Sequence, residues 1–249
     1  MHQEYKLGRY AKMSTEPKTL TSNGNQREMD IVDFTNVEVD CTFRVEIVRS
    51  DTYHVSIKAS EKYFDHINVT KSGSTLKLSL KPGHFKSRPV LEASIGMPVL
   101  NKLRMSSATR GKVRGFESEE KMKINVSGSS VLNIEATAGN VVVEVSGASR
   151  INGILKSNDT EMTLSGSSKA RLEGSAKKMV LNAWGASKLD LSNYLLEDVN
   201  IHLKGASKAD INVEGSLDID LSGASKLYYS GNPRVHELQL SGASCISRK

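Results

Sequence analysis

The sequence predicts an all-β fold: a single-stranded parallel β-helix of about seven or eight coils, each of roughly 19 residues, preceded by a β-hairpin capping region. Three observations carry this prediction. A glycine-serine tetrad recurs at nearly constant spacing, apolar and polar residues alternate on both sides of it, and hydrophobic residues make up 38% of the chain with only 5% aromatic, which implies an aliphatic core.

The tetrads begin at Ser127, Ser146, Ser165, Trp184, Lys204, Ser222 and Ser241, and their glycines lie 19, 19, 19, 20, 18 and 19 residues apart. Ser106-Ser107-Ala108-Thr109 is a blurred eighth copy upstream. Four positions before each glycine stand Ile124, Val143, Met162, Leu181, Ile201, Ile219 and Leu238, and two before stand Val126, Val145, Leu164, Ala183, Leu203, Leu221 and Leu240. Four positions after come Leu132, Ile151, Ala170, Leu189, Ala209, Leu227 and Ile246. Alternation with period two on either side of a glycine means two short strands, each with one buried face, meeting at a corner. Such a corner cannot bury its own apolar face, but stacking on its neighbour at a strand spacing of about 4.8 Å can. The local period excludes an α-solenoid, and a propeller blade needs about twice this repeat length.

This repetition decides how the serines are read. The pairs Gly128 and Ser130, Gly147 and Ser149, Gly166 and Ser168, Gly185 and Ser187, Gly205 and Ser207, Gly223 and Ser225, and Gly242 and Ser244 are structural corners. Glycine allows the bend, and the inward hydroxyl is expected to bond to backbone groups of the bend or to serines in adjacent coils. A nucleophile is needed once, not seven times.

The slot after the serine forms a second column, outward and basic: Arg150, Lys169, Lys188, Lys208 and Lys226. Two readings stay open for it. It is either a docking stripe for an anionic polymer or a solvated face whose charges keep flat sheets apart, with Asp190 and Asp210 close enough to Lys188 and Lys208 to offset part of the repulsion. A further basic segment runs from Lys81 to Arg114, with Lys81, Lys86, Arg88, Lys102, Arg104, Arg110, Lys112 and Arg114 against the single acid Glu92, in a chain of net charge +6. Its core residues Lys102, Arg104, Arg110, Lys112 and Arg114 are candidates to meet the same kind of polymer.

Motifs for other chemistry are weak. The six histidines and the cysteines Cys41 and Cys245 show no metal-ligand or redox spacing, so no cofactor, metal or catalytic residue is assigned. Ser118-Glu119-Glu120-Lys121 has the spacing of an acyl-transfer motif without the accompanying motifs. Asp218 and Asp220 are an acidic pair that shares one strand face, and Trp184 is the only tryptophan to offer a sugar platform. No nucleic-acid partner is expected. No run of about 18 apolar residues exists, so no transmembrane segment is predicted.

Residues 1–27 are polar and read as a flexible leader ending near the Asn23-Gly24 turn, without an apolar signal core. Residues 28–100 read as the capping region and 101–249 as the repeat array, continuous with it. Within the cap, Phe43–Val48 and Tyr53–Lys58 alternate strictly around Arg49-Ser50-Asp51-Thr52 and predict one hairpin. Ser60–Phe64 suggests a helical turn, and Ile67–Thr70 with Thr75–Leu80 predicts a second hairpin around Lys71-Ser72-Gly73-Ser74. These strands are expected to cover the N-terminal end of the stack. At the other end only Ser247-Arg248-Lys249 follows Ile246, which admits end-to-end pairing of copies as a homo-oligomer.

The block order "IVDFTNVEVDCTFRVEIVRSDTYHVSIKAS", "GSTLKLSL", "MPVLNKLRMSSAT" and repeated "LSGAS" resembles the bacterial family of auto-transporter adhesins with a head GIN domain, over residues 28 to 246. The resemblance implies a right-handed β-helix of exported or cell-surface proteins, periplasmic or secreted, with no established catalytic activity. The function expected is a non-catalytic binding or scaffold module engaging anionic glycans or cell-envelope polymers. Two alternatives stay open: a polysaccharide-active enzyme, since β-helices host such enzymes, and a subunit that assembles by end-to-end coil stacking.

Overall fold

A computed structural model describes residues 19–83 and 90–249. Twenty-two strands lie among them. β1 (Thr19–Asn23) and β2 (Gln26–Met29) form an antiparallel hairpin. β3 (Asn36–Val39) and β4 (Phe43–Arg49) meet at a corner, and β5 (His54–Lys58) follows. A 3-10 turn (Glu61–His66) leads into β6 (Ile67–Ser72) and β7 (Thr75–Leu80), which pair antiparallel, and β8 (Leu91–Met97) comes next. Eight coils then run in chain order. They are β9 (Lys102–Met105) with β10 (Arg110–Glu117), β11 (Lys121–Val126) with β12 (Val131–Thr137), and β13 (Asn140–Val145) with β14 (Arg150–Lys156). β15 (Asp159–Leu164) joins the start of β16 (Lys169–Ala183), whose end joins the start of β17 (Lys188–Leu203), whose end joins β18 (Lys208–Val213). β19 (Ser216–Leu221) with β20 (Lys226–Ser230), and β21 (Arg234–Leu240) with β22 (Cys245–Arg248), complete the stack.

Each strand pairs in parallel with its equivalent one coil away, as β11 with β13 and β12 with β14. The result is a β-solenoid with a pre-corner sheet and a post-corner sheet, as the alternation predicts. Both inward pre-corner columns are buried from Ile124 and Val126 to Ile219 and Leu221, at 2% exposure or less. The corners bond in one unbroken line: Ala148 N–H donates to Gly128 O at 2.8 Å, Ser167 to Gly147 and Ala186 to Gly166 at the same distance. Glycine is required there for two reasons. Gly147 has φ 72°, and a Cβ built on it would lie 2.5 Å from Gly128 O. The twenty-residue coil absorbs its extra residue as a bulge: Arg171 faces Asp190, but Gly174 faces Tyr194, whose ring is fully buried.

The N-terminal region contributes two more coils, out of chain order. β3 lies between β7 and β9, and β4 lies between β8 and β10, all in parallel register. The chain's first coil is therefore second in the stack. β6 covers the edge of β7, while β5, β2 and β1 continue antiparallel beyond β8. The N-terminal edge is thus closed by antiparallel strands, the protection such an edge requires.

Two expectations are corrected here. β4 and β5 do not form a hairpin, because β8 pairs in parallel with β4 and antiparallel with β5 and so separates them. The alternation was real, but either strand satisfies its backbone equally well against a third. The last part of the stretch read as a leader, from Thr19, is strand rather than tail: Gly24, at φ 48°, turns β1 back on β2, and β2 adds to β5.

Candidate functional site

Ser130, Ser149, Ser168, Ser187, Ser207 and Ser225 are buried to 1% exposure or less, and Thr109 takes the same slot in the blurred copy. Three of the hydroxyls close the corner onto the carbonyl three residues back: Ser187 to Trp184 O at 3.0 Å, Ser207 to Lys204 O at 2.9 Å, Ser225 to Ser222 O at 2.8 Å. The Ser168 and Ser187 hydroxyls also lie 3.3 Å apart, and Ser130 N–H donates to Ser149 Oγ. Ser244, in the last coil, bonds likewise to Ser241 O. Ser118 accepts from Glu120 N–H at 3.0 Å and shapes the turn between β10 and β11.

The basic column forms by register. Arg150 faces Lys169, Lys169 faces Lys188, Lys188 faces Lys208 and Lys208 faces Lys226, each on the outward side of the post-corner sheet and exposed. Two unit charges one coil apart in water repel by about 0.9 kcal/mol before screening. Asp190 and Asp210 do not relieve this as expected. Arg171 holds Asp190 at 2.9 Å and Lys249 reaches Asp210. The reason is positional: those acids lie two residues further along the strand, in a column where Arg171 is the in-register neighbour of Asp190, and Asp190 that of Asp210. The Ser192 hydroxyl, donating to Asp190 at 2.8 Å, and then Arg171 hold that carboxyl below its usual range against the opposing effect of burial. Among the described residues no acid forms an ion pair with Arg150, Lys169, Lys188, Lys208 or Lys226. Lys208 instead lies over the Tyr228 ring, 4.7 Å from its centre.

The column borders a groove of about 480 Å³, with Arg150, Lys169, Lys188 and Lys208 along it and Asn152, Arg171, Asp190 and Asp210 beside them. A row of exposed cations along a concave face, its two acids taken up by Arg171 and Lys249, can hold an extended anion.

The other basic segment is divided. Lys86 and Arg88 lie outside the described residues. Lys102 and Arg104 are on β9, in the pre-corner sheet, and Arg110, Lys112 and Arg114 are on β10, around the corner. Lys102 pairs with Glu38 at 3.3 Å and Arg114 with Glu46 at 2.5 Å. Arg104, Arg110 and Lys112 form no ion pair among the described residues; Arg110 and Lys112 line a second groove of about 520 Å³ with Arg44, Lys58, Glu46 and Glu92. Arg44 was missed in the sequence. The signal was present, since Asp40-Cys41-Thr42-Phe43 is one more corner: Cys41 has φ 76° and its carbonyl accepts from Ala108 N–H, in the manner of Gly128 and Ala148.

The acidic pair is otherwise occupied. Asp218 accepts from Glu237 N–H at 3.2 Å, and Asp220 lies 3.4 Å from His202 Nδ1. Trp184 stands at a corner, 47% exposed.

No functionally curated protein matches the chain. Solved structures share its fold. One described as "Putative lipid binding protein" from Parabacteroides distasonis has a TM-score of 0.85 at 18% identity, over 91% of this chain and 98% of that one. A "putative adhesin" from Parabacteroides merdae has 0.85 at 17% identity over 90% and 95%, and another from Bacteroides fragilis has 0.67 at 17% over 90% and 96%. By the match of residues 33–233, the chain belongs to the family described as "Putative auto-transporter adhesin, head GIN domain".

Proposed function

We propose that the protein is a non-catalytic, exported or cell-surface module that holds an anionic glycan or cell-envelope polymer along the basic groove. Its adhesin-like family fits such a module. The observation that carries the reading is the row Arg150, Lys169, Lys188, Lys208 and Lys226, exposed, in register and without an ion pair among the described residues. A row of like charges costs stability, and a bound polyanion turns that cost into affinity.

The variant combining Lys169→Ala, Lys188→Ala, Lys208→Ala and Lys226→Ala tests it. Binding to anionic glycans, followed by calorimetry at two salt concentrations, is expected to fall by at least a hundredfold, with the wild-type affinity itself declining as salt rises. Unchanged binding rejects the groove. Release of product from a panel of acidic and neutral glycans would instead favour a polysaccharide-active enzyme.

A second reading, assembly by end-to-end stacking, rests on the last coil. There Leu238 and Leu240, which continue buried columns, are 52% and 45% exposed. Sedimentation at rising concentration checks it: a monomer throughout removes it.

A further inference from the structure

The two grooves lie on one line. Arg110 of β10 faces Arg44 of β4 on one side and Val131 of β12 on the other, and Val131 faces Arg150. The outward column therefore runs Arg44, Arg110, Val131, Arg150, Lys169, Lys188, Lys208, Lys226, a cation at every coil but one. The grooves meet where Asn152 Nδ2 donates to Asn133 Oδ1 at 3.3 Å, for Asn133 lines the first groove and Asn152 the second. Arg44 and Arg110, like the lysines, form no ion pair among the described residues. Beyond Arg44 the next position is Glu92, 3.7 Å from Lys58 Nζ, which ends the run with a negative charge. From Arg44 to Lys226 the track rises seven coil steps, roughly 34 Å.

We infer that this is a single track of eight coils for a linear polyuronate, a polysaccharide carrying one carboxylate on every sugar ring. The inference rests on the proposed function and names the polymer. Three properties point to this chemistry. The cations come once per coil, and a pyranose linked through opposite ring positions advances its chain by about one coil step, so ring and coil stay in phase. Four of the seven cations, all those from Lys169 to Lys226, are lysines, isolated point charges on long flexible stems that reach carboxylates on either edge of the ribbon. Asparagine amides beside the track at Asn133 and Asn152 supply hydrogen bonds for ring hydroxyls.

The test uses the whole chain and uronic-acid oligomers of four, eight and twelve rings, titrated by calorimetry. Four rings fit within the lysine portion alone. Eight rings are expected to bind at least tenfold tighter than four, more than the extra binding registers provide, and twelve no more than threefold tighter than eight. In the Arg44→Gln, Arg110→Gln variant the tetramer should keep its affinity while the octamer falls to within threefold of the tetramer. Val131→Lys, which fills the gap, should strengthen the octamer several-fold and leave the tetramer unchanged. An octamer no tighter than the tetramer, or an octamer unaffected by the double variant, overturns the single track and leaves the proposed groove standing. Polyphosphate or a densely sulfated glycan binding better than uronate of equal length overturns the choice of polymer. Failure of every anion to bind overturns the proposed function itself.

Discussion

The two ends of the stack use the same corner in different ways. From Gly128 to Gly242 every corner is a glycine with φ between 69° and 80°, each carbonyl set against the next coil. At the N-terminal end Cys41 and Ser107 adopt the same left-handed geometry, at φ 76° and 64°, with side chains that disfavour it. There Asp40 does what glycine does elsewhere, holding the corner together: it accepts from Ser107 Oγ at 2.5 Å, Ser106 Oγ at 2.8 Å and Cys41 N–H at 2.8 Å. Regular coils obtain their corner from backbone freedom, and the divergent ones from a carboxylate. Only the first solution repeats, so only the first is conspicuous in a sequence.

Gly147→Ala breaks the regular solution and has the largest expected effect. Left-handed strain together with the approach of Cβ to Gly128 O should lower stability by about 2–3 kcal/mol, read from the urea midpoint. Cys41→Gly sharpens the contrast from the other side. Relief of the same strain should raise stability by about 1 kcal/mol. The charged column gives a subtler comparison. Lys188 has cationic neighbours on both sides and Arg110 on one, so Lys188→Gln should stabilise by up to about 1 kcal/mol at low salt and Arg110→Gln by less, both gains vanishing in high salt. A protein that becomes more stable and binds polyanions less well on the same substitution has its ladder for binding.

The smallest effect is the acid sensitivity of the N-terminal corner. Hydrogen bonds from Ser107 above all, then from Ser106 and Cys41, hold the Asp40 carboxyl below the usual carboxylate range, with burial opposing them. A carboxyl lowered in the folded state stabilises fully above its unfolded value and loses that contribution as pH falls through the folded one. Asp40→Asn should therefore reduce stability at neutral pH and flatten the acid limb below about pH 4, measured by unfolding at stepped pH.

The contrast also explains what was legible. Inward and outward columns follow from alternation because a strand's period of two is fixed by its backbone, so the coils from β11 onward, the buried serines and the in-register lysines could be read directly. The order β8, β4, β10 could not. Val45 and Ile47 alternate as an antiparallel strand would, and nothing local distinguishes β5 from β8 as the neighbour of β4, because strand pairing is decided by competition between distant segments. For the same reason Arg44 looked unrelated to Arg110, although sixty-six residues of chain separate two side chains that face each other in register. Arg171 was legible as an outward residue but not as the partner of Asp190, since side-chain direction along a strand is not set by spacing.

The inserted coil has a consequence for how the molecule comes into being. β3 and β4 leave the ribosome before any strand they pair with in parallel, yet each ends between two strands made later: β7 and β9 flank one, β8 and β10 the other. The first coil cannot act as a template on which the others are laid down in order. It must wait for residues up to Glu117, some seventy positions further along, and then be clasped from both sides. Growth from there to Lys249 adds one local coil at a time. Assembly should thus be slow and concerted over the first hundred or so residues and fast thereafter, with pulse-labelled hydrogen exchange showing β4 and β10 protected together and before β20.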